Sequence, residues 1–193
     1  NLQQWTERYQ TPSNLDTSFS DSKWPYVLKN KRKAYMSYTP TLFDISSVYG
    51  EDIAVDWVTK SVCAIWFLKP DTNTIIYQQA RRWAASFVAA NSHYKIGEMM
   101  LFFARCNAGR YNLGYNLDVT RIGLAFEDVF KRERHEELAR YENEEHEKKR
   151  NILKEEMKNG ISWDEYVRMN GMDANTPSPL IRLAKGLKKD DED

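Results

Sequence analysis

The chain has 193 residues and a formal net charge of zero, and charged residues make up 29% of it against 41% hydrophobic residues. This length suits one domain with appendages, and the neutral balance argues against a protein that chiefly binds bulk nucleic acid or an anionic membrane. No apolar run approaches the roughly 18 residues of a membrane span and no signal peptide is visible, so we expect no membrane partner and a cytoplasmic location.

Residues 1–47 are rich in Ser, Thr, Asn, Asp and Pro and keep no helical or strand period, which predicts an irregular N-terminal arm. Aromatic residues punctuate this arm, whereas disordered tails are poor in them. Such residues either wrap the arm around its own domain or dock it on a partner, and both interpretations stay open. If the arm docks, we expect the partner contacts to include Trp5, Tyr9, Trp24 and Tyr26.

Three predicted helices follow the arm. The first begins after Gly50 and ends at Pro70, and apolar residues line one of its faces at spacings of three and four. The second repeats such a stripe over residues 76–90. The third, over residues 96–107, is apolar on nearly every side, which is typical of a helix at the centre of its domain. Residues 48–131 therefore predict a small antiparallel helical bundle.

The longest predicted helix covers residues 118–160, with Asp118 as its N-cap. Its first third carries an apolar stripe that can pack on the bundle, whereas its middle is almost entirely charged. At ~1.5 Å per residue this helix would run on the order of 60 Å, about twice the span of a small domain. We therefore expect residues 132–171 to leave the bundle as a long extension followed by a short hairpin helix.

Capping signals at the end of the long helix predict this short hairpin helix. Ser162 and Glu165 occupy the two positions of a capping box, and Ile161 and Tyr166 occupy those of a hydrophobic staple. We expect residues 172–193 to form a docking tail. The apolar residues expected to contact a partner at this end are Ile161, Trp163, Tyr166, Leu180, Ile181 and Leu183.

The two cysteines, Cys63 and Cys106, lie in apolar helical stretches and have no metal-type spacing, which is typical of buried, reduced thiols. The histidines lack the Glu-x-x-His pattern of carboxylate-bridged metal sites. We therefore expect no metal, no cofactor and no catalytic residue. An enzyme with a pocket near Cys106, His93 and Arg110 stays an alternative, and it requires these side chains to converge in a cleft.

Basic residues beside aromatic rings suggest a nucleic-acid interface. Residues 29–33 read Lys-Asn-Lys-Arg-Lys and lie between Trp24, Tyr26 and Tyr35, so base-stacking rings flank phosphate-binding charges. Basic residues near helix ends are also ordinary surface charges. The candidate nucleic-acid contacts are Lys29, Lys31, Arg32, Lys33, Arg81, Arg82, Arg105, Arg110 and Arg121.

Residues 100–111 read Met-Leu-Phe-Phe-Ala-Arg-Cys-Asn-Ala-Gly-Arg-Tyr, and Leu113, Gly114, Tyr115 and Asp118 follow. A Phe-Phe-x-Arg helix end thus leads into a Gly-x-Tyr loop, a charged helix and an Ile-Ser-Trp cap. Over residues 48–170 this pattern resembles small uncharacterised helical proteins of Bacteroidetes phages and mobile elements. The resemblance implies a helical adaptor in phage or mobile-element biology, linked to replication, with a place in the virion if a phage encodes it.

Taken together, these patterns predict an all-α protein: a small antiparallel bundle, an irregular aromatic arm, and a long protruding charged helix that ends in a helical hairpin. We expect a non-enzymatic interaction or adaptor protein in a larger assembly, because apolar anchors lie on segments too polar to form their own core. Its partner would be another protein or a second copy of the chain. The alternative is a replication-associated, nucleic-acid-binding factor that uses the basic, aromatic-flanked arm.

Overall fold

The structure is a computed structural model that describes residues 6–68, 74–160 and 163–172. Within these ranges the chain forms helices joined by short loops, with a single isolated β-bridge between Thr41 and Lys95 and no strand, which confirms the all-α prediction. The chain divides into one unit of residues 1–143 and a second of residues 144–193. None of the described helices combines the length and the apolarity needed to cross a membrane.

The N-terminal segment is helical, so the prediction of an irregular arm is wrong. Its elements are α1 (Pro12–Ser18), a 3₁₀ turn (Asp21–Lys23), α2 (Trp24–Lys29), α3 (Lys31–Met36) and α4 (Leu42–Tyr49). Local signals explain two of the starts: the Thr11 hydroxyl accepts from the Asn14 amide, and Thr41 forms a capping box with Asp44. Each helix spans about two turns, which is too short for a 3.6-residue stripe to emerge from the sequence.

Aromatic side chains of this segment belong to the core of the first unit. Tyr9, Phe19 and Trp24 are buried, the rings of Tyr9 and Phe19 lie 5.3 Å apart, and the Trp57 indole donates to the Phe19 carbonyl. Tyr9 and Trp24 are therefore core residues and not the exposed anchors that the docking-arm prediction requires. Of the other predicted arm contacts, Tyr26 is 51% exposed and Trp5 lies outside the described residues.

The central helices match the predicted order: α5 (Glu51–Ile65), α6 (Ile75–Asn91) and α7 (Ile96–Asn107). Every residue of α7 up to Cys106 is buried, which confirms that this helix is central. Phe102 in its middle lies 5.0 Å from the ring of Phe126 and 5.1 Å from that of Phe130, so an aromatic cluster joins α7 to the following helix.

The predicted long helix is continuous from residue 119 to residue 159, and the Asp118 carboxylate caps it by accepting from the amides of Thr120 and Arg121. It consists of α8 (Val119–Leu124), a π-helical segment (Ala125–Phe130) and α9 (Lys131–Asn159). The short helix α10 (Trp163–Met169) follows, as predicted. The capping-box residue Ser162 and the candidate contacts Ile161, Leu180, Ile181 and Leu183 lie outside the described residues.

Candidate nucleic-acid interface

A run of basic residues occupies the 3₁₀ turn and helices α2 and α3. Between residues 22 and 43 the sequence holds no acidic residue and five basic ones, which we call the basic face: Lys23, Lys29, Lys31, Arg32 and Lys33. Apolar neighbours in the same helices fix its position. Ala34 and Tyr35 are buried with Leu101 of α7, and Val27 and Leu28 pack against them. The apolar side of α2 and α3 therefore faces α7, and the lysines at positions 29 and 33 are exposed.

An open groove of about 560 Å³ runs along this face, which we call the basic groove. Four cations of the basic face, Lys29 and residues 31–33, line it together with Tyr141, and no carboxylate does. The Arg32 guanidinium lies 5.6 Å from the centre of the Tyr141 ring. Lys33 Nζ donates to the Tyr26 hydroxyl at 3.2 Å and lies 5.6 Å from the centre of that ring. Cations and aromatic rings thus share one surface.

The lysines of the basic face have no ion-pair partner among the residues that the structure describes. Across the part of the chain that the structure describes, no carboxylate lies within ion-pair distance of Lys23, Lys29, Lys31 or Lys33. Two other lysines of the first unit differ: Lys60 pairs with Asp16 and Lys131 pairs with Glu127. This surface consequently has a local positive charge even though the whole chain is neutral.

Three of the sequence-predicted arginines lie on other helices. Arg81 of α6 is held between Asp52, at 2.7 Å, and Asp56, and Arg121 of α8 lies 3.4 Å from Asp118. Arg82 is exposed on α6 and lines a separate cavity with Glu51 and Asp52. The structure therefore does not bring these arginines onto the basic face, and two of them already have carboxylate partners.

Arg105 and Arg110 belong to a set of paired side chains that we call the charged cluster: Tyr35, Arg105, Arg110, Tyr111, Glu133 and Glu137. The Arg105 side chain is only 2% exposed, and it donates to Glu133 at 3.0 Å and to Glu137 at 2.6 Å. Arg110 and Tyr111 also donate to Glu133, at 2.6 and 3.0 Å. The two glutamates of the long helix engage the guanidinium groups of Arg105 and Arg110, so these arginines already have anionic partners within the chain.

Proton affinities in the charged cluster follow from these contacts. Burial alone would raise the pKa of Glu133, but hydrogen bonds from Arg110 and Tyr111 and the charge of Arg105 outweigh it and lower the pKa. Burial would lower the pKa of Arg105, yet its bonds to Glu137 raise it. Burial raises the pKa of Tyr35, which donates to Glu137 at 2.7 Å. At neutral pH, Arg105 and Glu133 are therefore charged and Tyr35 is protonated, and their contacts tie α7 and α3 to α9.

The three residues of the enzyme alternative, Cys106, His93 and Arg110, are respectively buried, packed on a ring and paired with a carboxylate. Cys106 is buried, and burial raises the pKa of its thiol, so the thiolate needed for nucleophilic attack is absent at neutral pH. The exposed His93 packs on Tyr94 with ring centres 4.3 Å apart, and Arg110 is engaged by Glu133. In the described ranges, no group of three or more His, Cys, Asp and Glu side chains has the geometry to hold a metal ion.

Sequence reasoning missed Glu133, Glu137 and Lys23 as members of these two regions. One signal was present: Arg105 stands in a helix that is apolar on nearly every side, and a buried guanidinium requires a carboxylate partner. Glu133 and Glu137, four residues apart on one helix face, fit that requirement. No protein-family model matches this chain, and the comparisons with curated proteins and with solved structures give no significant match.

Proposed function

We propose that the protein binds nucleic acid through the basic face and the basic groove. The observation that carries the proposal is the set of four lysines, Lys23, Lys29, Lys31 and Lys33, which have no ion-pair partner among the described residues. Three of them lie within five residues of sequence, where like charges repel one another. Phosphate groups of a bound strand would remove that repulsion and release condensed counterions.

Aromatic rings among the lysines favour nucleic acid over a simple anion. Tyr26 is half exposed beside Lys33, and Tyr141 lies under Arg32. Surfaces that bind nucleic acid combine a positively charged groove with rings on which bases stack. The neutral charge of the whole chain is compatible with this function if contact is confined to one face, since only about four phosphates would be neutralised.

The proposal predicts a measurable salt dependence. Each neutralised phosphate of a single strand contributes about −0.7 to the slope of log K against log salt, so four lysines give a slope of about −3. We would measure binding of a fluorescent 12-nucleotide DNA of mixed sequence, as single strand and as duplex, by anisotropy between about 50 and 200 mM salt. The triple variant Lys29→Gln/Lys31→Gln/Lys33→Gln should lower the affinity at least tenfold and reduce the slope by about 2.

The matched control removes the same number of charges elsewhere. Lys148, Lys149 and Lys154 are exposed on α9 in the second unit, and their change to Gln should leave affinity and slope unchanged. Equal losses in both triple variants would mean that general charge, not the basic face, governs binding. Absence of binding by the unaltered protein at 50 mM salt would refute the function.

The adaptor function expected from the sequence stays a prediction, and fewer exposed apolar residues now support it. Burial of Tyr9 and Trp24 removes two of its anchors. In the second unit, Trp163 and Tyr166 stack with ring centres 5.4 Å apart on α10, and Tyr166 is partly exposed. A protein that binds through this pair would lose its partner on change of Tyr166 to Ala and keep its affinity for oligonucleotides.

A further inference from the structure

Another cavity, of about 600 Å³, adjoins the basic face, and we call it the aromatic pocket. Its volume lies within the range of about 300–1,000 Å³ that small-molecule sites occupy. Four rings line it: Tyr9 and Phe19, which pack on each other, and the more exposed Tyr26 and Tyr38. Such a pocket accepts a flat, unsaturated group.

Cationic side chains line this pocket. Arg8, Lys23 and Lys33 line it, and no carboxylate does. The Arg8 guanidinium lies 5.6 Å from the centre of the Tyr9 ring, and Lys33 bonds the Tyr26 hydroxyl. A ligand that satisfies both features carries negative charge next to a flat ring, which is the chemistry of a nucleotide unit.

The aromatic pocket and the basic groove are adjacent, because Asn30, Lys33 and Ser37 line both. Lys33 therefore lies between the basic groove, where phosphates would bind, and the aromatic pocket, where a ring would bind. A strand whose phosphates follow the basic groove brings a base to the pocket only if that base is unpaired and unstacked. A duplex keeps its bases inside the stack and cannot fill the pocket without local opening.

We propose that the protein binds single-stranded nucleic acid and that the aromatic pocket receives one unpaired base. Tyr38, which is 60% exposed, and Tyr26 supply the stacking rings, and Lys33 contacts the neighbouring phosphate. This inference rests on the proposed function and names the class of nucleic acid. Stacking of a base on one aromatic side chain changes affinity by roughly five- to a hundredfold, so the pocket has a measurable effect.

The decisive experiment distinguishes contacts to bases from contacts to phosphates. We would compare a 12-nucleotide single strand, its duplex, and an abasic strand that carries the same phosphates without bases, each supplied as DNA and the first two also as RNA. The unaltered protein should bind the single strand at least tenfold more tightly than the duplex or the abasic strand. The DNA and RNA arms identify which of the two strands it prefers.

Two variants test the ring itself. Tyr38→Leu should weaken binding of the single strand about tenfold and leave binding of the abasic strand unchanged, because it removes stacking and no charge. Tyr115→Leu is the matched control, since Tyr115 is fully exposed in a loop away from the pocket lining, and it should change neither affinity. Both residues are exposed, so circular dichroism melting curves should match that of the unaltered protein.

The outcomes separate this inference from the proposed function. Equal affinity for the single strand, the duplex and the abasic strand, with sensitivity to the lysine variants, would overturn the base pocket and leave nucleic-acid binding in place. Tighter binding of heparin than of the single strand at equal charge would also overturn it, because heparin has no base. Loss of all oligonucleotide binding would remove both proposals.

Discussion

The basic face and the charged cluster both contain cationic side chains, but the two regions differ in how these side chains are paired with carboxylates. In the charged cluster, Arg105 is buried between Glu133 and Glu137, and Arg110 forms an ion pair with Glu133. On the basic face, four lysines are without a carboxylate partner within the described residues. A basic residue in the sequence is therefore a candidate for ligand contact only after its intramolecular partners are known.

The comparison also shows what each region does for the fold. Buried ion pairs fix which helix faces meet, because an unpaired charge in the core is strongly unfavourable. Arg134 of α9 adds a further ion pair, since it donates to the buried Glu98 of α7 at 2.9 Å. Exposed lysines contribute little to folding and remain available to a ligand. The following changes would break or sharpen this division of roles.

The largest effect is expected from Arg105→Met. This change leaves Glu133 and Glu137 facing the core without their shared cation, so the free energy of unfolding should fall by about 3 kcal/mol. Urea denaturation measured by circular dichroism would give the value. Affinity for the single strand, measured where the variant is folded, should stay within twofold. A stability loss below about 1 kcal/mol would contradict the structural role of the cluster.

A smaller effect, dependent on pH, is expected from Glu133→Gln. Folding lowers the pKa of Glu133 from its ordinary value of 4.5, so its ionised form stabilises the protein above pH 4.5 and this stabilisation is lost as the pH falls through the folded value. At pH 7 the variant should lose about 2 kcal/mol of unfolding free energy. The difference from the unaltered protein should narrow below pH 4.5.

The control for this pH dependence is Glu127→Gln. Glu127 is 53% exposed and pairs with Lys131 on the same helix, so its change should cost a few tenths of a kcal/mol at most. A gap between Glu133→Gln and the unaltered protein that stays constant from pH 7 to pH 3 would show that the charge of Glu133 does not carry the stabilisation.

A smaller effect than those of Arg105→Met and Glu133→Gln is expected from Arg81→Met, although Arg81 has as many carboxylate partners as Arg105. Arg81 also lies between two carboxylates, Asp52 and Asp56, but its side chain is 36% exposed. Water screens this pair, so the unfolding free energy should fall by less than about 1 kcal/mol and binding should not change. A loss equal to that of Arg105→Met would mean that the number of partners, not burial, decides stability. Any loss of affinity would add α6 to the interface.

The sequence was sufficient to predict the ranges of the long helices, whose apolar residues follow a clear helical period. Helix α7 and the continuous helix from residue 119 to residue 159 match the predicted ranges, because many apolar positions and clear caps define them. The short helices α1 to α4 were missed for the opposite reason. Two turns hold too few residues for a stripe, and tertiary packing rather than helix propensity stabilises such short helices. Helices α2 and α3 pack on α7, and α4 packs on α5.

The candidate site was predicted only in part, for a different physical reason. Residues 29–33 are adjacent in sequence, so their charge and the neighbouring rings were visible at once. The aromatic pocket combines Arg8, Tyr38 and Gly97, and the charged cluster joins Arg105 to residues about thirty positions away. Such distant neighbours depend on how helices pack, which the local pattern of one sequence does not specify.

The π-helical segment sets the angular phase between the two halves of the long helix. An α-helix advances about 100° per residue, and a π turn accommodates one residue more. Phe126 and Phe130 can therefore face α7 while Glu133 and Glu137 meet Arg105 further along. Loss of one residue within this turn would restore a regular α-helix with both halves in phase. The same loss just after Phe130 would rotate both glutamates by about 100° and disconnect them from Arg105.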